Sequence, residues 1–411
     1  MALIVKKFGG SSVATTEKII AVAKRILKEK GSEDKIVVVV SAMGDTTDEL
    51  ITLANGVAKQ PYDYSREIDM LLSTGEQVSI ALLAMAFNNL GCPAISLTGL
   101  QAGVKASEAY TKGKILSILP ERVLAELDKG KIVVVAGFQG VNAQGDIVTL
   151  GRGGSDTSAV ALAGALQADA CEILTDVDGI YSSDPRIVRN ARRMKEITYN
   201  EMLEMARLGA GVMQPRSVEM GKHYGVPIHV RSTFTHETGT FIREEYTVEE
   251  KEFIIRGVTH DNNVAKVAVL GVPDQPGIAF QIFSALAKAN IDVDMIVQSI
   301  RNTDKNIIDM VFTIAKSDIS QARMIVEQVG KAMNVLGVMV DDQVAKVSIV
   351  GAGMLGSPGI AATMFGALSD AEINIEVIST SEISISCIIR ADLAKEAVNA
   401  IHAKFFPDKQ E

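Results

Sequence analysis

Lysine, arginine, carboxylate and glycine residues cluster in four short segments of the N-terminal half, and together they suit phosphate chemistry. The first segment, Lys7-Phe8-Gly9-Gly10-Ser11-Ser12, follows the apolar run 3–5 and precedes a helix predicted to open at Thr15. Glycines let backbone N–H groups approach a ligand, and a helix N-terminus adds partial positive charge. With Lys7 as a point charge, the segment predicts a phosphate site. On its own, a tight turn with a surface lysine would explain it more simply.

The other three segments add carboxylates, a second glycine loop and contacts suited to a nucleotide. Thr74-Gly75-Glu76 is predicted to place a carboxylate at a turn before an apolar helix over 78–87. Gly151-Arg152-Gly153-Gly154-Ser155-Asp156 predicts another anion cradle, with Arg152 able to bind a carboxylate bidentately. Residues 175–186 offer acceptors for a ribose, a tyrosine ring and an arginine. Each segment also has a simpler structural interpretation. Glu76 could be a carboxylate at a helix N-terminus, Gly153-Gly154 a hairpin turn and Asp184-Pro185 the start of a turn.

One sheet is predicted to position these segments. Runs rich in Val and Ile predict strands over 3–5, 36–40, 94–97, 132–136 and 173–174. Such runs, apolar on both faces and separated by helical patterns, are typical of a parallel or mixed sheet covered by helices. Small polar residues follow the later strands, with Ser41 and Thr47 at the exit of the second, and ligands of open α/β sheets gather at that edge. The sequence therefore predicts a single α/β ligand-binding domain.

Composition excludes several classes of protein. The 411 residues carry a formal net charge of −9 and no tryptophan, which argues against nucleic acid or an anionic membrane as the main partner. The widely spaced Cys92, Cys171 and Cys387 indicate free thiols in a reducing compartment. With no signal-like segment and no apolar run of membrane-spanning length, we expect a cytoplasmic protein.

The C-terminal part contains an internal repeat. A charged stretch over 243–252 is predicted to bound the first domain. Beyond it, 266–271 recurs as 346–351, and Pro276-Gly277-Ile278-Ala279 recurs as Pro358-Gly359-Ile360-Ala361. Each copy predicts a βαββαβ sandwich. An extra strand over 252–258 precedes the first copy, and we expect it to complete the sheet of the second.

In their order along the chain, these motifs resemble the aspartate kinases of the amino-acid-kinase superfamily, and the repeat is similar to the paired ACT regulatory domains of that family. The resemblance covers essentially the whole chain. It implies an α/β protein with a three-layer αβα kinase domain and two ferredoxin-like ACT domains. The expected boundaries are 1–245 for the kinase domain, 246–262 for a linker and extra strand, 263–341 for the first ACT domain and 342–411 for the second.

The resemblance implies MgATP-dependent phosphorylation of the side-chain carboxylate of L-aspartate, giving 4-phospho-L-aspartate for lysine, threonine and methionine biosynthesis. Because that carboxylate is already deprotonated at neutral pH, no protein general base is needed. None of the five histidines lies inside a candidate motif. Catalysis then reduces to aligning two anions and screening the charge of the transferring phosphoryl group.

Roles for individual residues follow from the resemblance. Lys7 and the N–H groups of Gly9 and Gly10 would contact the phosphoryl group, and Asp156 would orient Lys7. Arg152 would hold the α-carboxylate of the substrate and Glu76 its ammonium. The remaining substrate contacts would be Ser41, Thr47, Gly153, Gly154 and Ser155. ATP would also contact Phe8, Thr175, Asp176, Tyr181, Asp184 and Arg186, with Mg²⁺ carried mainly by the nucleotide.

One segment departs from the family pattern. Many relatives read Ala-Lys-Val-Leu-His-Pro-Arg near the nucleotide, whereas this chain reads Ala210-Gly211-Val212-Met213-Gln214-Pro215-Arg216. The lysine and the histidine are missing. One expected ATP contact is therefore in doubt.

The repeats imply feedback inhibition by lysine, threonine or both. Loop backbone would bind the effector's carboxylate, and Asp294 its ammonium. The full expected set is Asp274, Gly277, Ile278, Ala279, Asp294 and Gln298 in the first copy, and Ile360, Ala361, Asn374, Ile375, Ser381 and Glu382 in the second. A plain tight turn is the alternative, most seriously for the second copy. Because no methionine lies between Met220 and Met295, a homo-oligomer through the ACT domains is favoured over an internally started second subunit.

Two other functions are consistent with parts of the sequence. A sister kinase would act on glutamate, acetylglutamate or a nucleotide; the Phe-Gly-Gly-Ser-Ser form and the tandem repeat favour aspartate. A non-catalytic amino-acid sensor would bind lysine or threonine without ATP turnover, and the presence of Lys7, Arg152 and Asp156 argues against it.

Overall fold

The computed structural model describes residues 2–245, 254–302, 307–354 and 357–407. The chain divides into two compact units. The first comprises Met1–Tyr181, Arg193–Ala206 and Gly211–Glu250, and the second comprises Ser182–Arg192, Arg207–Ala210 and Lys251–Glu411. Two short segments inside 1–245 thus group with the second unit, which the sequence did not indicate. Residues 246–252 of the predicted boundary stretch over 243–252, and the beginning of the predicted strand over 252–258, lie outside the described residues.

An eight-stranded sheet forms the centre of the first unit, in the order β10-β12-β11-β9-β1-β2-β6-β3. Neighbours from β11 to β3 pair in parallel, and the β11–β12 pair is antiparallel. Its strands are β1 Leu3–Phe8, β2 Lys35–Val40, β3 Ala94–Leu97, β6 Ile132–Ala136, β9 Ala170–Thr175, β10 Glu196–Thr198, β11 Ile228–Ser232 and β12 Thr240–Arg243. A smaller sheet, in the order β5-β4-β7-β8, contains β4 Val104–Ala106, β5 Ile115–Ile118, β7 Gln139–Val141 and β8 Ile147–Thr149.

Helices cover both faces of the large sheet. They are α1 Thr16–Glu29, α2 Thr46–Val57, α3 Ser65–Asn89, α4 Glu121–Leu127, α5 Gly154–Ala165, α6 Tyr199–Arg207 and α7 Pro215–Tyr224. Because side chains alternate along a strand, Phe8, Val38 and Val40 join one buried core with α1 and α3. Lys7 points to the opposite face, where it meets α5. This alternation places two different charge clusters on the two faces of β1.

The valine-rich strands explain why the sheet is central. All of Val37, Val38, Val39 and Val40 are fully buried, as are Val133 and Val134. Such β-branched runs suit strands that are covered on both faces. Thr15 caps α1 by accepting a hydrogen bond from the Lys18 N–H. The predicted opening of that helix is therefore confirmed.

Helix α3 differs from the prediction. The sequence pattern placed a turn at Thr74-Gly75-Glu76, but these residues lie in the middle of a continuous 25-residue helix. Gly75 serves close packing instead: a Cβ atom there would lie 2.8 Å from the Cβ of Ala42. The stretch Pro61–Asn89 is also long and apolar enough to cross a membrane by length and composition, although half of its apolar window is buried inside the protein.

The second unit contains two four-stranded sheets. The first has the order β15-β16-β14-β17 and the second β13-β18-β20-β19. Strand β13 pairs with β18 and so extends the sheet of the second repeat, beginning at Gly257 rather than at 252. The first repeat contains β14 Ala265–Pro273, α8 Ile278–Lys288, β15 Asp294–Asn302, β16 Ile307–Ile314, α9 Ile319–Met333 and β17 Gly337–Asp341. The second adds β13 Gly257–Asp261 to β18 Val344–Val350, α10 Ile360–Asp370, β19 Val377–Thr380, β20 Ser384–Arg390 and α11 Ala394–Phe405.

The two repeats match in backbone conformation as well as in sequence. Gly277 and Gly359 precede α8 and α10 with φ values of 94° and 95°, a region that favours glycine. Asn290 and Glu372 both adopt φ of 56° after those helices. The same loop-helix-turn unit therefore occurs twice, as the predicted βαββαβ class requires.

Candidate functional site

The first glycine loop joins β1 to α1 and lies against the loop that follows β2. Gly44 N donates to Gly10 O at 3.1 Å, and a Cβ atom at Gly10 would lie 2.8 Å from Ala42 O. Any side chain at position 10 would therefore displace the second loop. Within the described structure, the N–H groups of Gly10 and Ser11 donate to no protein acceptor. These amides are available to an anion.

Lys7 is the charge of this loop. Its side chain is about nine-tenths buried, and its Nζ lies 2.5 Å from Asp156 Oδ1. The contact is an ion pair, and Asp156 Oδ1 has no hydrogen-bond partner among the described residues. A Cβ atom at Gly9 would lie 3.6 Å from Lys7 Nζ. The ammonium is thus held beside the glycine backbone, where the two can act on one phosphate.

The second glycine loop leads directly into α5. Gly153 adopts φ of 68° as the residue before the helix, and Gly154, Ser155 and Asp156 form its first turn. A Cβ atom at Gly153 would overlap the side chain of Gln214, at 1.9 Å. Arg152 is exposed and makes no ion pair with any described residue. This geometry leaves a helix N-terminus and a guanidinium available to a carboxylate.

Glu76 is the most strongly perturbed carboxylate of the site. It is 2% exposed, and its Oε1 accepts a hydrogen bond of 3.0 Å from Ala42 N. Its Oε2 is buried and has no hydrogen-bond partner among the described residues. Burial raises the pKa of Glu76 from 4.5 to about 7, although the Ala42 N–H opposes that shift. A buried acceptor without a partner is costly, so this oxygen is suited to a ligand donor such as an ammonium group.

Two supporting residues were not recognised from the sequence. Asp69 is fully buried on α3 and accepts hydrogen bonds from Thr111 N, Thr149 N and Thr149 Oγ1. Arg216 donates to Leu150 O at 2.8 Å. Both contacts fix the segment just before the second glycine loop. The only sequence signal for Asp69 was that it is an acidic residue on an otherwise apolar helix face. An acidic residue on a helix usually faces solvent.

The predicted nucleotide residues divide between the two units. In the first unit, Thr175 Oγ1 donates to Asp176 Oδ1, and Tyr181 donates to Asp178. Asp184 and Arg186 belong to the second unit. There the Arg186 guanidinium pairs with Asp184 and lowers the pKa of that carboxyl group. The structure therefore does not place all these residues in one described site.

Ser41 and Thr47 lie on either side of the short loop after β2. Ser41 N donates to Phe8 O at 3.2 Å, and Thr47 is in the first turn of α2. Both are half-buried at the carboxyl edge of the sheet. They thus lie at the edge of the sheet near Lys7, and Glu76 of α3 contacts the same loop through Ala42 N.

Comparisons with known proteins bear on what this arrangement does. The amino acid kinase family matches residues 2–232, and the ACT domain matches residues 266–331 and 347–405. The aspartokinase of Corynebacterium glutamicum is 48% identical over 409 residues, covering 98% of this chain and 96% of that protein. The aspartokinase of Bacillus sp. strain MGA3 is 47% identical over 405 residues, covering 98% and 97%.

The chain belongs to the aspartokinase family.

Solved structures of an aspartokinase share its fold. E. coli aspartokinase III in complex with aspartate and ADP, an R-state structure, gives a TM-score of 0.83 at 24% identity, covering 98% of this chain and 100% of that one. The T-state structure of the same protein with lysine and aspartate gives 0.75 at 24% identity, covering 98% and 99%. The resemblance to the aspartate kinases, and the α/β kinase domain with two ACT domains that it implied, are confirmed. The protein is a kinase of this family.

The segment that departs from the aspartokinase pattern is exposed to solvent at its lysine position. Gly211, at the position of the lysine in many relatives, is exposed, and a Cβ atom added there would meet nothing within 4 Å. Gln214, at the histidine position, packs on Gly153. Gln214 thus requires glycine at position 153, and Gly211 leaves the lysine position without a side chain.

The residues present fit the phosphate groups of a nucleotide. Among the described residues, no group of three or more His, Cys, Asp or Glu side chains is arranged to hold a metal ion. Lys7, the unpaired amides of the first loop and the first turn of α5 instead form a cationic cradle. Phosphate oxygens suit such a cradle.

The predicted effector residues of the two aspartokinase ACT repeats match at the start of the first helix of each repeat and differ beyond it. Asp274, Gly277, Ile278 and Ala279 surround the start of α8, and Ile360 and Ala361 begin α10. Asp294 and Gln298 lie on β15, whereas Asn374 and Ile375 precede β19, and Ser381 and Glu382 form the turn before β20.

Asp294 already holds an ammonium group within the chain. Lys346 Nζ lies 2.5 Å from Asp294 Oδ2. The equivalent lysine of the first repeat, Lys266, pairs in turn with Glu376, the equivalent of Asp294. These reciprocal ion pairs link the two repeats, and they show that Asp294 is positioned to accept an ammonium donor.

Proposed function

We propose that this protein transfers the γ-phosphoryl group of MgATP to the side-chain carboxylate of L-aspartate. The observation that carries the proposal is the Lys7 ammonium, held by Asp156 beside the unpaired amides of Gly10 and Ser11. When bound, MgATP supplies the phosphoryl group and a cation that screens its charge. A fixed ammonium and backbone dipoles stabilise the charge that develops during transfer, because they need not reorganise.

Two further groups recognise the amino-acid part of the substrate. Arg152 makes no ion pair with any described residue and binds the α-carboxylate as a bidentate fork. Glu76 binds the α-ammonium through its unpartnered Oε2. Asp156, paired with Lys7, keeps the lysine oriented. Since the acceptor carboxylate is itself the nucleophile, the site needs no histidine or other general base.

The ACT repeats regulate this activity through lysine, threonine or both. The effector's carboxylate binds at the start of α8 or α10, and its ammonium displaces Lys346 from Asp294. Lysine is the first effector to test, because a solved structure of this fold contains it. A cytoplasmic location, a homo-oligomer through the ACT domains and a place at the start of lysine, threonine and methionine biosynthesis also remain proposals.

The experiment is aspartate-dependent ADP release from MgATP, measured alone and with lysine, threonine or both. We expect turnover with aspartate and inhibition by at least one of the two amino acids. Glutamate, acetylglutamate and a nucleoside monophosphate serve as alternative acceptors. Turnover with one of these in preference to aspartate, or none with any acceptor, would refute the proposed reaction.

A further inference from the structure

A second charged centre lies on the face of the large sheet opposite to Lys7. Lys6, its neighbour in β1, points the other way because side chains alternate along a strand. Lys6 is 4% exposed and donates to Glu29 Oε2 at 2.9 Å and to Glu172 Oε2 at 2.6 Å. It therefore belongs to a buried network that the proposed reaction does not use.

This network contains more cations than carboxylates. Arg25 Nε lies 3.0 Å from Glu29 Oε1, and Arg231 Nη1 lies 3.3 Å from Glu172 Oε1. Three basic groups thus share two carboxylates. Arg25 Nη2 and Arg231 Nε are buried without a hydrogen-bond partner among the described residues. A buried cationic donor that lacks an acceptor is unfavourable, so an anion bound beside Arg25, which unlike Arg231 lines the neighbouring cleft, would stabilise this region.

A cleft of about 420 Å³ lies next to the network, between α1 and residues 233–236. Its walls include Lys18, Lys24, Arg25 and Lys28, whose spacing places them along one side of α1. The Arg25 side chain is nine-tenths buried. Glu29 is the only carboxylate among the described lining residues. The cleft therefore has a net charge of about +3, in a chain of net charge −9.

The lysine side chains of the cleft have few hydrogen-bond or ion-pair partners among the described residues. Lys18 Nζ donates to Ser11 O and lies 5.6 Å from the centre of the Phe234 ring. Lys24 and Lys28 are exposed and make no ion pair with any described residue. The volume is within the range of small-molecule sites. A compact ligand with two or three negative charges matches both the size and the charge of the cleft.

We propose that this cleft binds a small phosphorylated anion, at a site separate from the nucleotide and aspartate sites. A phosphate group offers several acceptor oxygens at one centre, which suits a guanidinium flanked by lysine ammonium groups. Arg25 also donates to Ser232 O and Thr233 O, and Thr233 N donates to Thr175 O. The ligand would therefore bind against the loop that follows β11.

The test is isothermal titration calorimetry on the full-length protein with excess ADP present, so that the nucleotide site is filled. Inorganic phosphate, pyrophosphate and glycerol 3-phosphate are the phosphate probes, and citrate is a carboxylate of similar charge. The variant is Lys24→Glu combined with Lys28→Glu. Lys288→Glu combined with Lys331→Glu, on exposed positions of α8 and α9, is the control with the same change in net charge.

We expect saturable binding of at least one phosphate probe to the wild type and to the control. Binding should weaken by at least about tenfold in the Lys24/Lys28 variant, which corresponds to about 1.4 kcal/mol. The probe that binds tightest distinguishes free phosphate from an organic phosphate. No saturable binding at millimolar concentrations, equal weakening in the control, or tighter binding of citrate than of every phosphate would each overturn the proposal.

Discussion

Replacing Glu76 by glutamine removes a buried negative charge while it preserves the shape of the side chain. The pKa of Glu76 is raised from 4.5 to about 7 by burial. Since the folded-state pKa is above the unfolded one, the contribution of this group to stability is complete below pH 4.5 and is lost as the pH rises through 7. The loss approaches about 3 kcal/mol at high pH, and most of it falls between pH 5 and pH 8.

Urea unfolding of the wild type and of Glu76→Gln, at several pH values between 5 and 8, measures this quantity. Their difference in stability should move in favour of glutamine by roughly 2–3 kcal/mol across that range, since other titrating groups cancel. Glu67→Gln changes an exposed glutamate of the same helix and controls for the loss of charge. Saturating aspartate should reduce the pH dependence, because its ammonium provides the missing partner.

The same carboxylate should govern substrate binding. Below about pH 7 the protonated Glu76 cannot pair with an ammonium, so kcat/KM for aspartate should fall by about tenfold per pH unit in the wild type. In Glu76→Gln it should be low and nearly independent of pH over that range. A stability difference between the two proteins that does not change from pH 5 to pH 8 would refute the assignment of a buried, unpartnered carboxylate.

Two other substitutions test separate parts of the account. Arg152→Lys should raise KM for aspartate by about tenfold or more, with a smaller change in kcat, because a point charge cannot replace the bidentate fork; an unchanged KM in steady-state assays would exclude the contact. Lys346→Met should lower the lysine or threonine concentration needed for half-inhibition, because the ammonium group of the effector no longer competes with Lys346 for Asp294. Lys266→Met, which breaks the reciprocal pair with Glu376, is the matched control, and equal shifts in both variants would contradict the competition.

Much of the fold could be predicted because its strands are strongly marked. The predicted strands over 94–97 and 132–136 coincide with β3 and β6 to the residue, since a proline or glycine lies within two residues of each end. The small sheet of β4, β5, β7 and β8 was not predicted, because its strands are only three or four residues long. The repeat was recognisable because its Pro-Gly turn and the following helix occur twice.

The errors have physical causes in particular residues. Gly75 indicated a turn, but in the structure its missing side chain allows α3 to approach Ala42. Asp69 resembles a solvated residue of an amphipathic helix, and only the folded structure shows that it ties α3 to Thr149. The pairing of Lys346 with Asp294 joins residues 52 positions apart, which no local pattern indicates. Long-range contacts of this kind are what the sequence alone could not provide.

The central claim is that Lys7 stabilises the phosphoryl group during transfer, and the kcat of Lys7→Ala tests it most directly. Lys129→Ala, an exposed lysine that follows α4, is the control, and circular dichroism would verify that both variants fold. We expect kcat for aspartate-dependent ADP release to fall by about 10²–10³-fold in Lys7→Ala, equivalent to roughly 3–4 kcal/mol, and to stay near the wild-type value in Lys129→Ala. Near-normal turnover of a folded Lys7→Ala protein would contradict the account.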